Sequence, residues 1–145
     1  MNPSFRKKVF LDTNVFLDQL QKRSGMDAAE MILSLGRSRK IHICLSVLTA
    51  ANAAYVMRKT DGKDKMIDTL KDWSRDFVIL PNGRMSVDEA INSGNPDFED
   101  ALQISSATDE FCDAIVTRNK KDFEPYTDIP VFTPEEFLAK LSAPR

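Results

Sequence analysis

"VFLDTNVFLD" (residues 9–18) interrupts an apolar run with three polar residues, Asp12, Thr13 and Asn14, and then resumes it. The first half reads as a short buried strand. The second half reads as a helix beginning near Val15, with Thr13 or Asn14 as its cap. An aspartate at that junction stands at the mouth of a strand, where its charge needs a partner. A cation is one candidate.

Four further β-type runs lie downstream: "IHIC" (41–44), "FVIL" (77–80), "AIVT" (114–117) and "PVF" (130–132). Helical patterns fill the intervals. "GMDAAEMILSLGRSRK" carries Ala28, Ile32 and Leu35 on one face, and its basic end (36–40) suits a helix C-terminus. "SVLTAANAAYVMRK" is apolar nearly all round and predicts a buried helix. "DGKDKMIDTLKDWS" shows Met66, Leu70 and Trp73 at helical spacing. "PDFEDALQISSATDEFC" is a further helix with Pro96 near its first turn. In "TPEEFLAKL" Thr133 is the expected N-cap, Pro134 the first helical residue, and Glu136 completes a capping box. Strands alternating with helices predict one α/β domain over residues 1–145, a mostly parallel sheet covered on both faces. Ligands of such sheets gather outside the C-terminal strand ends, at a switch point in strand order. Asp12 leaves the first strand there; Thr117, Arg118 and Asn119 leave the fourth.

Composition narrows the chemistry. The 145 residues are 42% hydrophobic and 29% charged, an ordinary globular balance, with a net charge of −2. Any grip on nucleic acid must therefore come from a local patch. His42 is the only histidine and alternates with Ile41 and Ile43, which excludes multi-histidine metal sites. Cys44 and Cys112 lack paired spacing and sit in apolar segments, as buried free thiols of a reduced compartment do. The opening "MNPSFRKKVFLD" has too short an apolar run for a signal peptide. The weakly polar stretch 43–57 falls short of the ~20 residues a membrane span requires. A cytoplasmic protein with no membrane partner is expected.

Several polar residues are sufficiently explained by local structure. Asp97 and Glu99 suit a first helical turn, Asn119 and Asp122 suit the N-cap and third position of a short helix, and Thr13 and Asn14 suit a cap. Asp100 is less easily dismissed. It heads the stripe Asp100, Ile104, Ala107, Phe111, which reads as core-facing, whereas Glu99 heads the polar stripe Gln103, Ser106, Glu110. Asn52 is the most polar residue of an apolar helix; it could bond a loop, or orient a carboxylate or a metal-bound water. Arg118, Lys120 and Lys121 form a basic group read either as solvated surface or as a phosphate contact. Oxygen ligands favour Mg²⁺ or Mn²⁺, which can position water for attack on phosphorus. Asp12 with Asp100 therefore points to metal-assisted phosphodiester hydrolysis.

"FLDTNVFLD", "LSVLTAANAAYVMRK", "DFEDALQISSA", "AIVTRNKKDF" and "PVFTPEEFL", in this order and spacing, resemble a PIN domain across nearly the whole chain. The resemblance implies a three-layer α/β/α sandwich with a five-stranded parallel sheet of order 3-2-1-4-5. It also implies a Mg²⁺- or Mn²⁺-dependent ribonuclease, often a toxin restrained by an antitoxin and often a homodimer. The family's four acidic positions fall on Asp12, Asn52, Asp100 and Asn119, with Thr13 and Asn14 as companions of the first. Two of the four are thus amides here, which add no negative charge, although Glu99, Asp97 or Asp122 could compensate in part. The expected function is RNA cleavage, with Asp12 and Asp100 on the metal and Arg118, Lys120 and Lys121 on the RNA. The alternative is a catalytically weak or inactive PIN-like module that binds RNA or a protein. A phosphoacceptor switch fits poorly, because such a switch wants an aspartate at the end of strand three and a lysine after strand five, and "FVILPNG" and "PVFTPEE" supply neither.

Overall fold

The computed structural model describes residues 6–143, so the opening part of the leader reading lies outside the described residues. Five parallel strands form one sheet: β1 (Lys8–Leu11), β2 (His42–Ser46), β3 (Val78–Leu80), β4 (Ala114–Val116) and β5 (Val131–Phe132), in the order 3-2-1-4-5. Eight helices connect and flank them: α1 (Thr13–Leu20), α2 (Met26–Arg37), α3 (Val47–Thr60), α4 (Lys63–Asp76), α5 (Arg84–Asn92), α6 (Phe98–Asp109), α7 (Lys120–Phe123) and α8 (Pro134–Ser142).

β1 is the centre of the molecule. Its Val9 pairs with Ile43 on one side and Ala114 on the other. Alternation sends Val9 and Leu11 to one face and Phe10 to the opposite one. On the first face they meet Phe16, Ile32, Leu33, Met57, Trp73, Phe77 and Phe137, drawn from α1 to α4 and α8. Phe16 packs on Trp73 with ring centroids 4.8 Å apart. On the second face Phe10 meets Cys44, Ile104, Ala107, Cys112, Ile115 and Phe123, so α6 and α7 form the third layer. Both cysteines are buried and unbridged. Gly36 is required by packing, since a Cβ there would collide with Ile43.

Four sequence readings need correction, and one helix had no sequence reading at all. Asp12 itself occupies the N-cap position of α1, so Thr13 and Asn14 lie inside the first turn and cap nothing. The buried stripe of α2 is Ala29, Ile32, Leu33 and Gly36; Ala28 and Leu35 flank it half-buried. α3 buries only Thr49, Ala53 and Met57 and leaves Tyr55 63% exposed. Alanine-rich sequence made that helix look buried because small residues sit on either face at little cost. Phe111 is 84% exposed, because α6 ends at Asp109 and Phe111 turns to a φ of 56°. Lastly, α5 carried no legible stripe: Met85, Val87 and Ile91 are exposed, and only Ser86 and Ala90 are buried. Among the described residues, no helix is long and apolar enough to cross a membrane. The capping box of α8 is as expected: Thr133 Oγ1 accepts from the Glu136 N–H at 3.2 Å, and the Glu136 carboxylate accepts from the Thr133 N–H at 2.9 Å.

Candidate active site at the carboxyl edge of the sheet

β1 is where the connections diverge, to β2 on one side and eventually to β4 on the other. Beyond its end lies a cavity of about 330 Å³ lined by Asp12, Thr13, Asn14, Asn52, Tyr55, Glu99, Asp100 and Gln103, among others. Residues from α1, α3 and α6, far apart in sequence, converge there. Asn52 is half-buried on its wall rather than enclosed in a core.

Asp12 is 2% exposed and is held by neutral donors. The Thr117 hydroxyl donates to its Oδ2 at 2.9 Å. Burial pushes its carboxyl above the ordinary aspartate range, while hydrogen bonds from Thr117, Gln103 and the backbone of Thr13 and Asn14 pull the other way. Asp100 stands at the end of α6, where the Asp97 carboxylate caps the helix by accepting from the Asp100 N–H at 3.0 Å. Its carboxyl is pushed up to about 7, first by burial and then by the negative charges of Asp97, Asp12, Asp122 and Glu99. Among the described residues, no lysine or arginine is paired with Asp12 or Asp100.

A second set of contacts braces this pair. Gln103 is 3% exposed, and its Oε1 accepts from the Thr13 N–H at 3.1 Å and from Thr13 Oγ1 at 3.4 Å. Thr13 Oγ1 is also 2.7 Å from Thr49 Oγ1, and Thr49 N–H donates to Ser46 Oγ at 3.2 Å. Amphipathic counting misplaced Gln103 and Ser106 on an outer polar stripe. Both are buried, because the helix they belong to is covered on that side too. Thr117 is fully buried; its place at the end of an apolar strand was the only signal for it.

The basic group has other engagements. Arg118 pairs with the buried Asp18 and reaches Glu135 at 3.7 Å, and a Cβ at Gly25 would collide with its guanidinium. Lys120 bridges Glu124 at 3.5 Å and Glu136 at 3.3 Å. Lys121 is exposed. Asn119 stands at the N-cap of α7 without a side-chain cap bond; its N–H donates to Thr117 Oγ1 at 3.0 Å. Arg118, Asn119, Lys120, Lys121 and Asp122 are outside the cavity lining, though Asp122 is near enough to act on Asp100 electrostatically.

The donor set suits a hard divalent cation that keeps much of its water. The Asp12 and Asp100 carboxylates, the latter made proton-retaining by burial and then by its negative neighbours, line one cavity with Glu99 and the Asn52 amide. Among the described residues no three His, Cys, Asp or Glu side chains are grouped as a cage, so solvent would supply the remaining ligands.

The fold is similar to several solved structures. A chain of VapBC2 from Rickettsia felis, bound to a DNA fragment from their promoter, superposes with a TM-score of 0.67. That match is 19% identical and covers 87% of this chain and 98% of that one. VapBC-1 from nontypeable Haemophilus influenzae gives a TM-score of 0.67 at 16% identity, over 88% of this chain and 98% of that one. VapC20 from Mycobacterium tuberculosis, a sarcin–ricin loop cleaving toxin, gives 0.59 at 10% identity, over 74% of this chain and 86% of that one. At such identities the likeness is one of fold. No curated protein matches the chain in sequence. The model of the PIN domain family matches residues 8–121, well over half the chain, and the protein belongs to that family.

Proposed function

We propose that the protein is a Mg²⁺- or Mn²⁺-dependent endoribonuclease, one domain in extent, that hydrolyses RNA phosphodiester bonds in the cytoplasm. We propose further that it is the toxin of a toxin–antitoxin pair, working as a homodimer. The observation that carries the reading is the meeting of Asp12 and Asp100, 88 positions apart in sequence, on one cavity at the switch point of the sheet. Family membership and the VapBC complexes of similar fold support the nuclease and antitoxin parts.

Asp12 and Asp100 would hold the ion, with Asn52 and the less buried Glu99 orienting water around it. A bound divalent cation would supply the positive charge that offsets charge growing on the phosphate during in-line attack by water. The protein's own part is positional and protonic. Thr117 fixes one oxygen of Asp12 and opposes the effect of its burial. Asp100 exchanges its proton near neutrality, so its charge state responds when a cation arrives. Asn119 is tied through the Thr117 hydroxyl to Asp12, Asp122 acts on Asp100 electrostatically, and the exposed Lys121 would meet the RNA backbone. The test is cleavage of mixed RNA in Mn²⁺ by wild type against Asp12→Asn: loss in the variant is expected, and wild-type inactivity across metals and RNAs sinks the reading.

One observation favours a second reading. Asn52, a neutral amide on the cavity wall, and Asn119 stand where the resemblance places acids, which suits a PIN-like module that binds RNA or a protein partner without cutting. Metal-independent RNA retention without cleavage would select it.

A further inference from the structure

Gln103 is a buried side-chain amide in a helix otherwise packed with small and aliphatic residues, and its orientation is determined by the chemistry around it. The Thr13 N–H can only donate. The Gln103 atom 3.1 Å from it must therefore be the carbonyl oxygen, and Thr13 Oγ1 at 3.4 Å reinforces that choice. Thr13 Oγ1 is itself fixed by Thr49, which is tied to Ser46 at the end of β2. With its oxygen committed, the amide has only its two N–H donors left to present to the cavity side it shares with Asp12 and Asp100.

We propose that Gln103 is a positioning residue of the metal site. Its oxygen is locked by Thr13, and its amide donors hold the Asp12 carboxylate in place for a divalent cation. This rests on the metal-dependent reading above and assigns a role to a residue the acidic pattern does not contain. Partners that orient a metal-binding side chain commonly govern affinity by about 10–100-fold. A glutamate at the same position would keep the acceptor for Thr13. It would then turn a second oxygen, in place of a donor, toward Asp12. Repulsion should weaken the metal-free protein, and a cation should relieve it.

The experiment is direct Mn²⁺ titration by calorimetry and electron paramagnetic resonance, with thermal melts in the presence and absence of Mn²⁺. It compares wild type, Gln103→Leu and Gln103→Glu. The leucine variant should lose Mn²⁺ affinity about 10-fold or more. The glutamate variant should melt below wild type without metal and gain more from Mn²⁺ than wild type does. A purely structural role predicts wild-type Mn²⁺ affinity in the leucine variant, and that result overturns the proposal. If the leucine variant does not fold, Gln103→Met, closer to glutamine in shape and equally without amide donors, takes its place and is read in the same way. If wild type binds no Mn²⁺, the metal-dependent reading fails and this proposal falls with it; wild-type binding with unchanged variants removes the role of Gln103 alone.

Discussion

The two edges of the sheet hold acids under opposite conditions. At the amino edge, the Asp113 carboxylate accepts from the Lys8 N–H at 2.8 Å, and the Lys8 ammonium lies 3.4 Å from Glu110. Asp113 is exposed to water, and the half-buried Glu110 is matched with a cation. At the carboxyl edge, Asp12 is buried among hydroxyls and amides, and Asp100 is surrounded by further negative charge. One edge is electrostatically satisfied. The other is held ready for a positive charge that no lysine or arginine among the described residues provides, which separates a solvated surface from a site.

The sharpest way to break this comparison is Asp12→Asn. Cleavage of RNA in Mn²⁺ should fall by about two orders of magnitude or more, since even indirect partners of a metal cost 10–100-fold. Circular dichroism should remain native, because the variant removes a buried charge. The next effect is thermal. Saturating Mg²⁺ or Mn²⁺ should raise the melting temperature by about 5–15 °C, the shift expected for ligand near 100 times its dissociation constant. In Asp100→Asn most of that gain should vanish. A lysine or arginine edge would show neither effect.

Proton linkage gives a smaller and independent test. The Asp100 carboxyl titrates near 7 in the native protein, against 3.8 when unperturbed. The folded state therefore holds a proton the unfolded chain has lost between those values. This contribution is complete below about pH 4 and disappears as pH rises through 7. Metal-free wild type should lose about 1 kcal/mol by this route between pH 5 and 8, a figure reduced for the solvent that screens a half-exposed group. Asp100→Asn should flatten that part of the profile, as read by urea melts at each pH. Smallest of all, Lys8→Ala at the amino edge should cost under about 1 kcal/mol and leave cleavage unchanged.

β1, β4 and β5 were legible because they lie in the covered part of the sheet, whereas β3 at the edge leaves Val78 and Ile79 exposed. Each of the three appears as an apolar run ending in a polar residue, Asp12, Thr117 or Thr133. That same contrast exposed Asp12, and the buried stripe of α6 exposed Asp100. What failed was the inference from polarity to solvent. Ser105 is buried under α5, where it donates to Glu89, Ser106 accepts from the Asn82 amide, and Gln103 is buried against Thr13 of α1. α5 itself was invisible, since its apolar residues face outward. The basic group was read from composition, which cannot reveal that Asp18, Glu124, Glu135 and Glu136 engage Arg118 and Lys120.

Those ion pairs bear on how a polyanion could be captured. A protein that grips nucleic acid with many free lysines releases a counterion for each phosphate and loses affinity steeply with salt, by about 0.7 log units per contact per decade for single strands. Here Arg118 and Lys120 would have to abandon carboxylates first, leaving Lys121 as the uncommitted basic residue of the trio among the described residues. RNA affinity should therefore decline gently with monovalent salt, with a log–log slope of about −0.7 for that single contact, while depending strongly on divalent ion. Selection of substrate would then rest on the shape offered to the cavity rather than on bulk attraction.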